Sequence, residues 1–201
     1  MMRRLNRLFP HAGMALRYTH PWELLFAVML SAQCTDKKVN EVTAKLFQKY
    51  PTLDAYVSAD ARVFERDIYE TGFFRQKTKN ILATAQILHD RYAGKIPKTM
   101  VELTALPGVG RKTANVVLGN AFGIVEGIAV DTHVRRLARR YGLTQHTDVR
   151  KIEQDLMRII PKKEWFHLTY LLIEYGRMYC PARRHNHDHC PLTLALRKGG
   201  Y

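Results

Sequence analysis

A proline, two glycines and a lysine lie close together in the segment Leu106–Ala114, which reads LPGVGRKTA. Such a turn between two helices leaves the amides of Gly108 and Gly110 exposed at a helix N-terminus, where the helix dipole also favours an anion. Lys112 follows in the first helical turn, where the dipole disfavours a cation, and a neutral lysine amine is a nucleophile. The segment predicts a phosphate-binding turn beside a reactive amine, although a plain helical hairpin is an alternative.

Asp131 lies further along the chain, in the segment Val130–Val134 (VDTHV), and is placed to cap the helix that follows. Most aspartates at such positions only cap a helix, and an exposed Lys112 that only contacts phosphate is the alternative for the lysine. A capping carboxylate is nevertheless held rigidly, so it can relay protons or stabilise an oxocarbenium-like sugar if it faces the amine. An amine and an acid of this kind suit chemistry on the sugar of DNA.

Almost the whole chain has the pattern of helices. The apolar segment that begins at Pro21 is typical of a central buried helix. Residues 76–92 predict a longer amphipathic helix with Lys77, Lys79 and His89 on its outer face. Strand-like alternation is nearly absent, so the sequence predicts an all-α fold in which the glycine turn joins two helices.

The charge balance points to a polyanionic partner. The 201 residues include 32 Lys and Arg against 18 Asp and Glu, a formal net charge of +14. Each phosphate that such a protein neutralises releases a condensed counterion, although generic solubility charge is an alternative. The basic residues are dispersed and no apolar run approaches the ~20 residues that span a bilayer, so we expect no membrane partner. Three cysteines argue against a disulfide framework and predict an intracellular protein, in the cytoplasm or nucleoid.

Three segments resemble those of the helix-hairpin-helix DNA glycosylases, specifically the endonuclease III branch. They are Leu30–Asp36 (LSAQCTD), Leu106–Val117 and Ala129–Val134, and they occur in the family's order. The similarity extends from about Pro21 to Cys180. The resemblance implies two helical domains that flank a DNA-binding cleft.

The resemblance implies a six-helix domain at residues 15–124, which carries the hairpin, and a second domain formed by residues 1–14 and 125–201. It also implies a monomeric enzyme that acts on double-stranded DNA containing damaged bases or abasic sites. The target base is flipped out, Lys112 attacks C1′, the base leaves and β-elimination cuts the strand, with Asp131 as the acid–base or electrostatic partner. The substrates expected are damaged, mainly oxidised, pyrimidines.

Lys112 also separates close relatives within this superfamily. Adenine-mismatch glycosylases generally lack a lysine at this place and use the aspartate with water, so Lys112 favours the bifunctional, strand-nicking type. The 8-oxoguanine branch keeps both residues and remains an alternative. A non-catalytic DNA-binding module that has kept the hairpin and lost turnover is another.

The resemblance assigns further contacts with DNA. Gln33 matches the glutamine that enters the gap left by the flipped base. Phe73 falls where the family usually carries a leucine wedge, which an aromatic ring can replace by stacking. The residues expected to hold the DNA backbone belong to the glycine turn: Gly108, Val109, Gly110 and Arg111.

The C-terminal segment, residues 180–196, departs from the family pattern. The family commonly binds a [4Fe–4S] cluster through Cys-x6-Cys-x2-Cys-x5-Cys, and the corresponding residues here are Cys180, His187, Cys190 and Leu196. A cubane normally needs four ligands, so the sequence predicts no [4Fe–4S] cluster and no cofactor. Two alternatives remain, a cluster with a nonstandard ligand and a zinc site formed by both cysteines with two histidines from the set His185, His187 and His189.

Overall fold

The computed structural model describes residues 1–198, with side chains as far as residue 195. Every regular element in this part of the chain is helical, so the prediction of an all-α fold is confirmed. In chain order the α-helices are α1 (Met2–Leu8), α2 (Pro21–Leu30), α3 (Asp36–Lys49), α4 (Leu53–Val57), α5 (Ala61–Asp67), α6 (Phe74–Tyr92), α7 (Met100–Thr104), α8 (Arg111–Phe122), α9 (Thr132–Arg140), α10 (Val149–Ile159), α11 (Trp165–Met178) and α12 (Pro191–Lys198). Short 3-10 helices are formed by Tyr69–Thr71, Lys162–Glu164 and His187–His189.

The chain divides into two compact units. One contains residues 14–124, and the other contains residues 1–13 together with the chain from Val125 onward. The first unit holds seven α-helices, α2 to α8, of which α4 and α7 have only five residues each. A bilayer-spanning helix, which needs both length and a continuous apolar surface, is absent from the described residues.

Helix α2 lies at the centre of the first unit. Pro21 opens it, and the Glu23 carboxylate accepts a hydrogen bond from the His20 backbone N–H at 2.9 Å, which caps the first turn. Every residue from Glu23 to Leu30 is buried, as the apolar sequence predicts. Helices α3, α6 and α8 pack around it.

The turn between α7 and α8 is fixed to the body of the same unit. Leu106 and Val109 are 3% and 4% exposed, so two apolar side chains anchor the turn in the core. The Thr84 hydroxyl, on α6, donates a hydrogen bond to the Pro107 carbonyl at 3.1 Å. These contacts hold the loop rigidly while leaving its glycines at the surface.

Helix α11 forms the core of the second unit. Leu168, Leu172 and Tyr175 are fully buried on it, and α1 and α9 pack against it. Gly176 permits the close approach of α9, because a Cβ at this position would overlap Nδ1 of His133. The position of α9 therefore depends on the absence of a side chain on α11.

Candidate active site

The two glycines of the turn are required for different reasons. Gly108 has φ of +75°, and a Cβ there would lie 2.9 Å from Cβ of Asn80 on α6, so both conformation and packing demand glycine. Gly110 is the N-cap of α8 in an extended conformation, and a Cβ there would meet no described atom within 4 Å. The chain's own packing therefore does not require glycine at position 110.

The first turn of α8 combines a positively polarised helix end with a lysine. Its N-cap, Gly110, has no side chain to cap the backbone N–H groups, and the first turn contains no acidic residue. Lys112 is exposed there, next to the partly buried Arg111. An anion that approaches Gly110 would therefore meet backbone N–H groups, the helix dipole and an amine.

Gln33 and Phe73 adopt backbone conformations that are uncommon for residues with side chains. Their φ angles are +55° and +48°, in the left-handed region, and both side chains are exposed, Phe73 by 71%. Such conformations cost free energy and persist only where the surrounding structure imposes them. The two residues that the sequence analysis assigned to probing DNA are thus both held at the surface in strained turns.

Lys77 is buried and contacts the backbone next to both turns. The prediction that it lies on the outer face of its helix is therefore wrong. Its ammonium donates hydrogen bonds to the carbonyl of Leu30 at 2.8 Å and to that of Thr71 at 2.7 Å. Leu30 ends α2 just before the turn of Gln33, and Thr71 precedes Phe73 by two residues. Burial lowers the pKa of Lys77. Helical periodicity alone could not reveal a site formed by the ends of two other helices.

Asp131 caps α9 in the second unit. Its Oδ1 accepts a hydrogen bond from the Val134 backbone N–H at 2.8 Å, and its side chain is partly buried. His133 follows it, with a pKa lowered mainly by burial. The buried Nδ1 of His133 has no hydrogen-bond partner among the described residues. The carboxylate is therefore rigidly held beside a histidine that is mostly uncharged at neutral pH.

The C-terminal segment contains a potential metal-binding cluster. Cys180, His185, His187 and Cys190 each offer one donor atom, and the four atoms lie within 4.8 Å of one another. The prediction that the chain has no cofactor is contradicted by this cluster. That prediction relied on family spacing, and His185 joins the cluster from a position that the family spacing does not use. His189 is exposed, and the side chain of Leu196 lies outside the described part.

Comparisons with known proteins agree with the fold and the motifs. Residues 26–162 match the family described as HhH-GPD superfamily base excision DNA repair protein. Endonuclease III of Synechocystis sp. is 48% identical over 94% of this chain and 86% of that protein. Endonuclease III of Bacillus subtilis (strain 168) is 44% identical over 98% of this chain and 90% of that protein.

Solved structures give the same relationship. A non-covalent endonuclease III–DNA complex superimposes with a TM-score of 0.92 at 44% identity, covering 98% of this chain and 92% of that one. A trapped covalent endonuclease III–DNA intermediate superimposes with a TM-score of 0.90 at 45% identity, covering 95% of this chain and 90% of that one. The chain therefore belongs to the HhH-GPD superfamily of base excision DNA repair proteins and, within it, to the endonuclease III family.

Proposed function

We propose that this protein removes damaged, mainly oxidised, pyrimidines from duplex DNA and then cuts the strand, as a DNA glycosylase with AP lyase activity. The observation that carries the proposal is the exposed Lys112 in the first turn of α8, directly after the glycine turn. The trapped covalent complex of a 45% identical endonuclease III supports a covalent route for this chain too.

The glycine turn binds a backbone phosphate of the DNA. Gly110 leaves room for a phosphate oxygen to reach the N–H groups of the helix end, where the dipole favours an anion. Val109 is buried and keeps the turn from yielding when DNA binds. Gly108 and Arg111, which flank Val109 and Gly110 in the sequence, contribute to the same contact with the phosphate.

Lys112 is the nucleophile. Its neutral amine forms a bond to C1′ as the base leaves with the electrons of the glycosidic bond, and opening of the sugar ring gives an imine. The imine acidifies the C2′ proton, whose removal expels the 3′ phosphate by β-elimination. Water then hydrolyses the imine and releases the lysine. Asp131 assists as the acid–base or electrostatic partner, since its cap bond fixes the carboxylate in one orientation.

Phe73 and Gln33 act on the opened duplex. The phenyl ring is 71% exposed on a rigid turn, so it can stack on a base beside the lesion and hold the helix open. The Gln33 amide has both donors and an acceptor, so it can replace the hydrogen bonds that the flipped base gave up.

The basic face of α9 adds affinity for the DNA backbone. It is formed by the exposed side chains of Arg135, Arg139 and Arg140.

A strand-cleavage assay tests the proposal. Duplexes that carry thymine glycol, 8-oxoguanine opposite cytosine, a G·T mismatch or an abasic site are incubated with wild type, Lys112→Gln and Lys95→Gln. Lys95 is an exposed lysine in the same unit and serves as the matched control. We expect wild type and Lys95→Gln to cut the thymine glycol and abasic strands and to leave a β-elimination end.

The Lys112→Gln variant is expected to bind the same DNA and to cut it at least about 1,000-fold more slowly, because no imine can form. Cleavage by this variant at the wild-type rate would overturn the assignment of Lys112. Excision confined to 8-oxoguanine or to the mismatch would overturn the assignment of pyrimidine lesions.

A further inference from the structure

The donor atoms of the C-terminal cluster are spaced for one metal ion. Cys180 Sγ lies 3.5 Å from His187 Nδ1, Cys190 Sγ lies 3.4 Å from His185 Nε2, and Cys190 Sγ lies 4.0 Å from His187 Nδ1. A tetrahedral zinc ion, with bonds of about 2.3 Å to sulfur and about 2.0–2.1 Å to nitrogen, separates sulfur from nitrogen by about 3.6 Å. The observed distances cluster around this value.

An iron–sulfur cube requires a larger cage. Each of its four ligands binds a different iron, which spreads the donor atoms further apart than the ligands of a single ion. In this chain all four donor atoms lie within 4.8 Å of one another. A two-iron cluster of the Rieske type places its cysteine pair and its histidine pair on different iron atoms, whereas here Cys190 Sγ lies within 4.0 Å of a nitrogen of each histidine.

The tautomer of His185 is set by a neighbouring carbonyl. Its Nδ1 lies 2.9 Å from the carbonyl oxygen of Arg183, which can only accept a hydrogen bond, so Nδ1 carries the proton. The lone pair is thus on Nε2, the atom that lies nearest Cys190. Orientation of a ligating histidine through its second nitrogen is a common feature of metal sites.

The segment between the two cysteines has no apolar core to hold it. None of residues 181–189 is buried, whereas Cys180 and Cys190 are 0% and 2% exposed within the hydrophobic core of their unit. Arg136 on α9 lies with Nη1 3.8 Å from Cys180 Sγ, where its charge would stabilise a metal-bound thiolate. A bound ion would join the segment to the core and to α9.

We propose that Cys180, His185, His187 and Cys190 bind one Zn²⁺ ion in a closed tetrahedral site that stabilises the C-terminal part of the second unit. Two thiolates and two neutral imidazoles form one of the established ligand sets of structural zinc sites. The site has no position left open for water, so the ion supports the fold and takes no part in catalysis. The proposal is independent of the function proposed for Lys112.

Metal content of the wild-type protein tests the proposal directly. The full chain is expressed with both zinc and iron supplied, purified without chelator, and analysed by mass spectrometry for metals and by assay for acid-labile sulfide. We expect about one zinc per chain, little iron and no labile sulfide. Iron together with labile sulfide would overturn the proposal in favour of a cluster, and absence of bound metal would overturn it outright.

Two histidines in the same segment give a matched pair of variants. His185→Ala removes a donor and is expected to bind zinc more than about 100-fold more weakly, whereas His189→Ala leaves the cluster intact and retains the ion. His185→Cys should retain zinc as well, because a thiolate is also a zinc ligand. Equal zinc affinity of the two alanine variants would contradict the ligand set.

Cobalt substitution of the wild-type protein tests the geometry of the site without an amino-acid change that could prevent folding. Co²⁺ exchanged into the native protein should show the intense visible bands of a tetrahedral ion with thiolate ligands. The weak bands of an octahedral ion would contradict the proposed geometry.

Discussion

Replacement of Lys77 by methionine is expected to destabilise the protein, because one buried ammonium fastens two turns. Lys77 is 6% exposed, and its Nζ donates to the Leu30 carbonyl at 2.8 Å and to the Thr71 carbonyl at 2.7 Å. Each hydrogen bond from a charged donor contributes about 1.5–3 kcal/mol, and removal of the cost of burying the charge offsets part of this. We therefore expect the free energy of unfolding to fall by about 2–4 kcal/mol.

Urea unfolding at neutral pH measures this change. Lys79→Met is the matched control, since Lys79 is exposed on the same helix and its substitution should change the free energy of unfolding by less than about 0.5 kcal/mol. If Lys77→Met and wild type unfold at the same urea concentration, the two carbonyl contacts do not stabilise the fold and the reasoning is refuted.

The same variant separates the positioning of the turns from chemistry. The two turns carry Gln33 and Phe73, so loss of the Lys77 contacts should weaken the binding of a duplex that contains an abasic-site analogue. We expect the Kd to rise by about 10-fold, which corresponds to a loss of about 1.4 kcal/mol of binding free energy. The cleavage rate at saturating DNA should stay within a few-fold of wild type, since Lys112 lies on another helix. A large loss of the saturated rate with unchanged binding would contradict the role assigned to Lys77.

Two further predictions concern the glycine turn and pH. Gly110→Ala should leave stability within about 0.5 kcal/mol of wild type and weaken DNA binding, whereas Gly108→Ala should also destabilise the fold by about 1–3 kcal/mol, because of its positive φ and the overlap with Asn80. Thermal unfolding and DNA titration of the two variants check this contrast, and equal stability would contradict it. Burial and the hydrogen bond to Asp67 raise the pKa of Tyr50 from 10 to about 12, which favours the neutral phenol in the folded state. This contribution to stability is complete below pH 10 and decreases by about 1.4 kcal/mol per pH unit as the pH rises from 10 to 12. Relative to Tyr50→Phe, the wild type should therefore lose stability over that range in denaturant unfolding, and a constant difference would contradict the shift.

Local signals in the sequence were sufficient for the helical character of the chain and for several helix ends. Asp131 was predicted to cap a helix, and it accepts the cap hydrogen bond of α9 from Val134. The apolar segment from Pro21 forms the buried α2, because a helix that is apolar all round can only be central. Helix α6 begins at Phe74, two residues before the predicted start at 76, because Phe73 caps it in the left-handed conformation, which the sequence does not signal.

Contacts between distant segments could not be predicted from the sequence. Lys77 has the spacing of an exposed helical residue, and only the ends of α2 and of the 3-10 helix at Tyr69–Thr71 supply the two carbonyls that bury it. The metal cluster was predicted only as an alternative, with its two histidines left open among His185, His187 and His189, for a related reason. Its fourth donor, His185, lies within the loop, and the spacing of residues along an irregular segment does not determine which side chains converge.

Mass-spectrometric mapping of the covalent enzyme–DNA adduct identifies the residue that attacks C1′. Wild-type protein is incubated with an abasic-site duplex in sodium borohydride, which reduces an imine to a stable amine, and the product is digested and sequenced. We expect one modified residue, Lys112. Attachment to another lysine or to the N-terminal amine, or no adduct on DNA that the protein binds, would contradict it.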